Sequence, residues 1–227
     1  MVDSYLFFTG DLEFMLSKYN RFVCAHTTRY VVYEFWKCVI ENPDKVYDIL
    51  ASPHFKFEEI DFEYLQKKWA HYEDQNIRSA LFFLLNKCSS DGSISYGNME
   101  NNKLSNVDLA ALKTFKKPKN MHLIFDNTEF ADSIEKCYGE YTLINVGRYT
   151  NNLFEDGKSY GLEETKIDHS EILDIFNTTD KKMIIIYKYD PQVLEKYKDT
   201  AKTLTLIDNY GNPTEKGSAA EVLIANF

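Results

Sequence analysis

Short apolar runs alternate with segments of helical spacing along most of this sequence. The clearest strand is Lys182–Lys188, because the three isoleucines at 184–186 form a β-branched run that favours extended backbone. Residues 12–19 instead place apolar side chains three and four positions apart, which predicts an amphipathic helix. Further strands are predicted at 5–8, 21–25, 121–125, 141–146, 204–208 and 221–226.

Helices are predicted between these strands, and several have a recognisable start signal. Asp44 and Asp168 are predicted as N-caps of short helices, and Ser105 or Asn106 as the cap of a helix at 107–115. A strongly apolar segment at 29–40 ends before Pro43, which disfavours its continuation. The other predicted helices are 55–70, 74–87, 129–137 and 191–197.

This alternation of elements predicts the fold class. Continuous apolar strands separated by helices indicate an α/β domain whose mostly parallel sheet is covered by helices on both faces. The stretch 44–115 is helical without strands, and it is therefore predicted to be an insertion between the two parts of that domain, 1–43 and 116–227.

The composition is that of a folded chain with an acidic balance. Hydrophobic residues make up 44% and aromatic residues 15%, which excludes intrinsic disorder, because disordered chains are poor in both. The net charge is −9, from 35 acidic and 26 basic residues. Since DNA-binding proteins carry a basic face toward the phosphates, a protein partner is the better expectation.

The cysteines show no metal-binding spacing. Cys24, Cys38, Cys88 and Cys137 form no Cys-x-x-Cys pair, and no histidine lies at zinc-site spacing from them. We therefore predict reduced, mostly buried thiols and no metal site, as is usual for a cytosolic protein.

No segment is typical of a signal peptide or a membrane span. The first residues lack a basic region followed by a long apolar core, and the longest apolar runs, 80–85 and 183–187, are far shorter than a bilayer requires. We expect a soluble protein without a membrane partner, located in the cytoplasm or in a virus particle.

Nine segments of the chain follow one another in an order known from one enzyme family. They read YLFFTGDLEF, VVYEFWKCVIENPDKVYDIL, RSALFFLLNKCSSDG, DLAALKTFK, IFDNTEFADSIEKC, EYTLINVGRYTN, DHSEILDIF, KKMIIIYKYDP and GSAAEVLIANF. Together they resemble the Dam-like DNA adenine methyltransferases. The resemblance implies a Rossmann-like methyltransferase fold for 1–43 and 116–227, with 44–115 in the place of the target-recognition region.

The catalytic motif of that family is degraded in this chain. The resemblance aligns Asn145, Val146, Gly147 and Arg148 with the family's Asp-Pro-Pro-Tyr, which holds the target amine and stacks the flipped base. The aspartate has become asparagine and both prolines are missing. Because loss of a positioned polar group costs several kcal/mol of transition-state stabilisation, the resemblance implies a fold without the reaction.

The cofactor contacts of the family are degraded as well. Of the glycine-rich turn after the first strand only Gly10 remains, followed by Asp11, whose carboxylate could still bind an ammonium group. The ribose-binding Asn-Asp pair aligns with His26 and Thr27, neither of which is acidic. A lone histidine at a strand end is expected to be partly exposed. We expect these four positions to be vestigial and no cofactor to be bound.

Three functions remain open at this point. The first is a catalytically inactive homologue that serves as a protein-binding or structural component, and the Tyr-, Phe-, Asn- and Lys-rich composition suggests a virus or phage as its source. The alternative is a divergent S-adenosylmethionine-dependent DNA adenine methyltransferase, or a subunit of one, with Tyr149 stacking on the flipped base. The third is weak DNA binding by a basic groove of Arg78, Lys87, Lys113, Lys116, Lys117 and Lys119.

Overall fold

Seven strands and nine α-helices are present in the residues that the computed structural model describes, which are 1–6, 11–52, 59–90, 94, 98–116, 118–149 and 167–227. The strands are β1 Val2–Leu6, β2 Val23–Thr27, β3 Met121–Phe125, β4 Tyr141–Gly147, β5 Lys182–Lys188, β6 Thr203–Ile207 and β7 Glu221–Ala225. The helices are α1 Asp11–Lys18, α2 Tyr30–Glu41, α3 Pro43–Leu50, α4 Glu59–Lys68, α5 Gln75–Cys88, α6 Asn106–Lys113, α7 Phe130–Glu135, α8 His169–Thr178 and α9 Pro191–Tyr197.

Residue contacts divide the chain into two compact units. The described residues of the first unit are 1–6, 11–28, 118–149 and 167–227, and they include all seven strands. Those of the second unit are 29–52, 59–90, 94 and 98–116, and they contain α2 to α6.

The first unit is built on one mostly parallel sheet. Its strands lie in the order β3-β2-β1-β4-β5-β7-β6, in which β7 is antiparallel to both of its neighbours and the other pairs are parallel. Along the chain, β2 pairs with β1 and β3 pairs with β2. The next strand, β4, then pairs with the other edge of β1. The predicted α/β class with a mostly parallel sheet is confirmed, and the order is compatible with a Rossmann-like fold.

Helices contact both faces of this sheet. Neighbouring side chains on a strand point to opposite faces, so Ser4 and Tyr5 mark the two sides of β1. Ser4 donates a hydrogen bond to Glu13 of α1, whereas the Tyr5 ring packs edge-on against Phe130 of α7, with ring centroids 4.6 Å apart. The sheet therefore has the helical cover on both sides that a buried parallel sheet requires.

The second unit is a helical assembly held by an aromatic contact and a buried ion pair. Phe35 of α2 stacks on Phe82 of α5 at a centroid distance of 5.1 Å. On the same two helices, the guanidinium of Arg78 bonds to Glu34, with Nε 2.7 Å from Oε1. The predicted insertion, 44–115, falls within this unit, to which α2 also belongs.

The predicted place of Arg78 in an exposed basic groove is therefore wrong. Its side chain is buried, and besides the bond to Glu34 its Nη1 donates to the carbonyl oxygens of Tyr72 and Glu73 at 2.6 and 2.8 Å. A buried guanidinium needs such partners because desolvation of an unpaired charge is costly. The guanidinium of Arg78 thus connects α2 and α5, and its charge is not available to bind a phosphate.

Several predicted boundaries agree with the structure and some do not. β3, β5 and α9 have the predicted ends, whereas β2 begins at Val23, two residues later than expected. Of the predicted first strand at 5–8, residues 7 and 8 lie outside the described residues, and β1 already begins at Val2.

The N-cap of α3 is Asn42, which accepts from the amide of Lys45, because the following Pro43 suits the first helical position. The prediction that Asp44 is the N-cap of this helix is therefore wrong.

Replacement of Ile185 by Asp should abolish folding of the first unit or lower its free energy of unfolding by about 3–5 kcal/mol, because an unpaired carboxylate would be buried. Ile185 is fully buried in β5, which is paired on both sides by β4 and β7. Urea denaturation measures the effect. The matched control is Leu204→Asp on the outermost strand β6, where the side chain is exposed. Equal stability of the two variants would contradict the position assigned to β5.

Candidate functional site

The strand order reverses between β1 and β4, and residues 145–148, which the resemblance aligns with the family's catalytic motif, lie at the end of β4. Parallel α/β sheets bind ligands at the carboxyl ends of the strands beside such a reversal. Leu6, the last residue of β1, pairs with Asn145 of β4. The position predicted for the motif from the resemblance is therefore also the position that the sheet topology favours for a ligand site.

The backbone at this end of β4 is irregular. The register with β5 shifts between Asn145 and Gly147, and Gly147 has a φ of +76°, in the left-handed region that glycine adopts most readily. Val146 is fully buried, Asn145 is half-buried and Arg148 is exposed. Of the four residues from Asn145 to Arg148, only Asn145 and Arg148 can thus offer a polar side chain near the end of β4.

The end of β2 holds a buried histidine. His26 is only 5% exposed, so the expectation of partial exposure is wrong. Its Nδ1 lies 2.9 Å from Oδ2 of Asp126, the residue after β3, and its Nε2 lies 3.3 Å from Oδ1 of Asp3 on β1. Because β2 lies between β1 and β3, the two carboxylates reach the imidazole from both neighbouring strands.

Of the other three predicted cofactor positions, Thr27 and Asp11 lie within the described residues. Thr27 is fully buried, and its carbonyl oxygen accepts from the amide of Asp126 at 2.9 Å. Asp11 is the first residue of α1, and the conformation of its side chain is not described. Gly10 lies outside the described residues.

Around His26 the fold assembles a set of polar groups that we name the Asp3–His26–Cys137 cluster. One potential metal-ligating atom from each of these three buried residues lies within 4.8 Å of the other two. Burial and the nearby carboxylate of Asp3 raise the pKa of the Cys137 thiol to about 12. The cluster combines a thiol, an imidazole and a carboxylate, three of the side-chain types that bind transition metals.

Several contacts hold the cluster in place. Ser133 of α7 donates to Asp126, and the backbone amide of Gly139 donates to Oδ2 of Asp3. A Cβ at Gly139 would lie 2.7 Å from that carboxylate oxygen and 2.9 Å from the Asp3 amide, so the close approach requires glycine. Lys181 bonds to the carbonyl oxygens of Ile134, Glu135 and Cys137, which anchors the chain after α7.

The sequence did not reveal this cluster. His26 and Asp126 are 100 residues apart, and His26 and Asp3 are 23 apart, far from any local metal-binding spacing. Only the parallel pairing of β1, β2 and β3 brings them together. The sequence contains one indication of these contacts, because a polar residue lies inside each of the three apolar strands or directly after it. These residues are Asp3 in β1, His26 in β2 and Asp126 after β3.

A second group of side chains follows the end of β4. The Tyr149 ring lies 4.6 Å from the His169 ring, and His169 Nδ1 is 3.0 Å from the hydroxyl of Tyr187. Lys196 approaches the Tyr149 ring, with its Nζ 6.0 Å from the centroid. Burial lowers the pKa of His169 and raises that of Tyr187, so both side chains are uncharged at neutral pH. The ring of Tyr149 is thus already in contact with an aromatic partner.

Comparison with known proteins gave no assignment. No protein-family model matches this chain, and a search of curated proteins returned no match. None of the helices in the described part of the chain has the length and apolar character that crossing a bilayer demands.

The free energy of unfolding should depend on pH through His169. Because its folded pKa is lowered from 6.5, the unfolded state binds the proton more readily, and stability is lost as the pH falls through the lower folded pKa. We expect His169→Gln to reduce the loss of stability between about pH 7.5 and about pH 5.5 in urea titrations. His122→Gln, at an exposed histidine of β3, is the matched control. An unchanged pH dependence in His169→Gln would contradict this prediction.

Proposed function

We propose that this chain is a catalytically inactive homologue of the Dam-like DNA adenine methyltransferases, which acts by binding other proteins. The observation that carries the proposal is the end of β4. Beside the strand reversal, where the family places its catalytic aspartate, this chain has the half-buried amide Asn145 followed by the exposed Arg148.

The strand order supports the methyltransferase relationship. Rossmann-like methyltransferases add a seventh strand that runs antiparallel between the fifth and the sixth. The sheet described above has this arrangement, with β7 antiparallel between β5 and β6. The nine segments that resemble the family also occur along the chain in the family's order.

The residues at the strand ends support the loss of activity. An amide oxygen accepts a hydrogen bond more weakly than a carboxylate, so Asn145 is a poor substitute for the family's aspartate. On the cofactor side, both ring nitrogens of His26 face the carboxylates of Asp3 and Asp126, and Thr27 is buried. The two positions that align with the ribose-binding pair therefore offer no carboxylate to S-adenosylmethionine.

Exposed aromatic side chains support a protein partner. Tyr19 and Tyr138 are 75% and 86% exposed, and Phe22 and Phe227 are each 42% exposed. Tyr19 and Phe22 precede β2, Tyr138 precedes β4, and Phe227 follows the antiparallel β7, so all four lie toward the amino-terminal ends of the parallel strands. We call them the aromatic rim. Aromatic residues are enriched at protein interfaces, and this rim lies at the opposite end of the sheet from Asn145.

The alternative is a divergent S-adenosylmethionine-dependent DNA adenine methyltransferase, or a subunit that depends on a partner for its missing residues. Tyr149 favours it, because an aromatic ring directly after β4 is suited to stacking on a flipped base. Against it stand the net charge of −9 and the contact that already joins Tyr149 to His169.

Calorimetric titration should detect no binding of S-adenosylmethionine at about 1 mM, since each lost polar contact weakens affinity by about 1–3 kcal/mol. Restoring the family's aspartate by Asn145→Asp should not create adenine methylation, because the cofactor contacts would remain absent. Methylation of DNA by the wild-type chain, abolished by Asn145→Ala, would establish the alternative instead.

The protein-binding role predicts that the chain from its native source sediments with a larger assembly. Tyr19→Ser combined with Tyr138→Ser should weaken that association at least about tenfold, because exposed aromatic residues often dominate interface energies. Tyr210→Ser is the matched control, since Tyr210 is 90% exposed but follows the carboxyl end of β6. A wild-type chain that sediments only as a free monomer would contradict the role.

A further inference from the structure

The Asp3–His26–Cys137 cluster has the geometry of a metal site. Two ligands at about 2.0–2.1 Å from a tetrahedral Zn²⁺ ion are separated by about 3.3 Å, and a thiolate at about 2.3 Å lies about 3.6 Å from them. The measured separation of His26 Nε2 and Asp3 Oδ1 is 3.3 Å. All three potential ligating atoms, including the Cys137 thiol, are within 4.8 Å of one another.

We propose that Asp3, His26 and Cys137 bind a Zn²⁺ ion in the first unit of this protein. The ion would join β1, β2 and the segment between α7 and β4. The proposal does not depend on the relationship to methyltransferases, because it rests on the arrangement of the three side chains; the resemblance assigns only His26, as a vestigial cofactor position.

The surroundings of His26 support the proposal independently of the three ligands. A metal-bound histidine usually donates its other ring N–H to a carboxylate, which fixes the ring and makes the ligand nitrogen a better donor. Asp126 is placed for this role, with Oδ2 2.9 Å from Nδ1, and it is itself oriented by the hydroxyl of Ser133. Nε2 then remains directed at Asp3.

The charges of the buried carboxylates also favour a cation. Asp3 is 2% exposed and Asp126 is 8% exposed, and within the described ranges neither forms an ion pair with a lysine or arginine. Two carboxylates around one imidazole leave a net negative charge even when the histidine is protonated, and buried uncompensated charge is costly. A divalent ion would neutralise it.

The ligand types favour zinc over magnesium or calcium. A thiolate and an imidazole suit zinc, whereas magnesium and calcium prefer oxygen ligands. Three protein ligands would leave the fourth tetrahedral position open to a water molecule.

The experiment uses the intact chain, stripped of metal with a chelator and titrated with Zn²⁺ in a calorimeter. We expect one ion per chain. Replacement of the ion by Co²⁺ should produce the visible absorption of a tetrahedral site and a thiolate-to-cobalt charge-transfer band. Cys137→Ser should abolish that band, and Asp126→Asn should weaken Zn²⁺ binding about 10–100-fold, as is typical when the partner of a metal-bound histidine is lost.

Cys88→Ser is the matched control, because Cys88 is an equally buried thiol in the second unit. It should leave the affinity and the cobalt spectrum unchanged. X-ray absorption at the zinc edge of the wild-type chain gives a measurement that does not require any variant to fold, and we expect at least one sulfur ligand. Absence of stoichiometric binding, a shell of nitrogen and oxygen alone, or an unchanged affinity in Cys137→Ser would overturn the proposal.

Discussion

The position of β1 between two parallel strands is the constraint on which the first unit depends. Pairing with β2 on one side and β4 on the other buries the strand, so every polar side chain on it needs a partner inside the protein. Asp3 meets His26 and the amide of Gly139 on one face, and Ser4 meets Glu13 on the other. The same pairing places the end of β1 beside Asn145. The polar cluster and the candidate site at the strand ends therefore have a common structural origin.

The local pattern of the sequence was sufficient for most elements but not for their partners. The isoleucine run in β5 and the start signal at Asp168 depend on neighbouring residues, and both were predicted correctly. The partners of His26 and Arg78 lie far away along the chain, so an isolated histidine was expected at the surface and an isolated arginine in a groove. The antiparallel direction of β7 was equally invisible, because a buried strand has the same apolar pattern in either direction.

The proposed function and the proposed metal site describe different parts of the same sheet. Under the proposed function, the carboxyl ends of β1 and β4 correspond to the catalytic site of the family, and an asparagine at position 145 is compatible with an intact sheet. The cluster around His26 is buried, and buried polar groups affect the free energy of unfolding through the partners that they find. Under the same proposal, the sheet is the scaffold that displays the aromatic rim.

The pairing of β1 with β4 also has a consequence for the order of events during synthesis. Val2 leaves the ribosome well before its partner Tyr141, which is made 139 residues later (141 − 2). Contacts between residues so distant in sequence form slowly, because a long loop has to close first. The helices of the second unit are made in the interval, and their contacts are closer in sequence. We therefore expect the insertion to gain structure on the nascent chain before β1 can pair with β4.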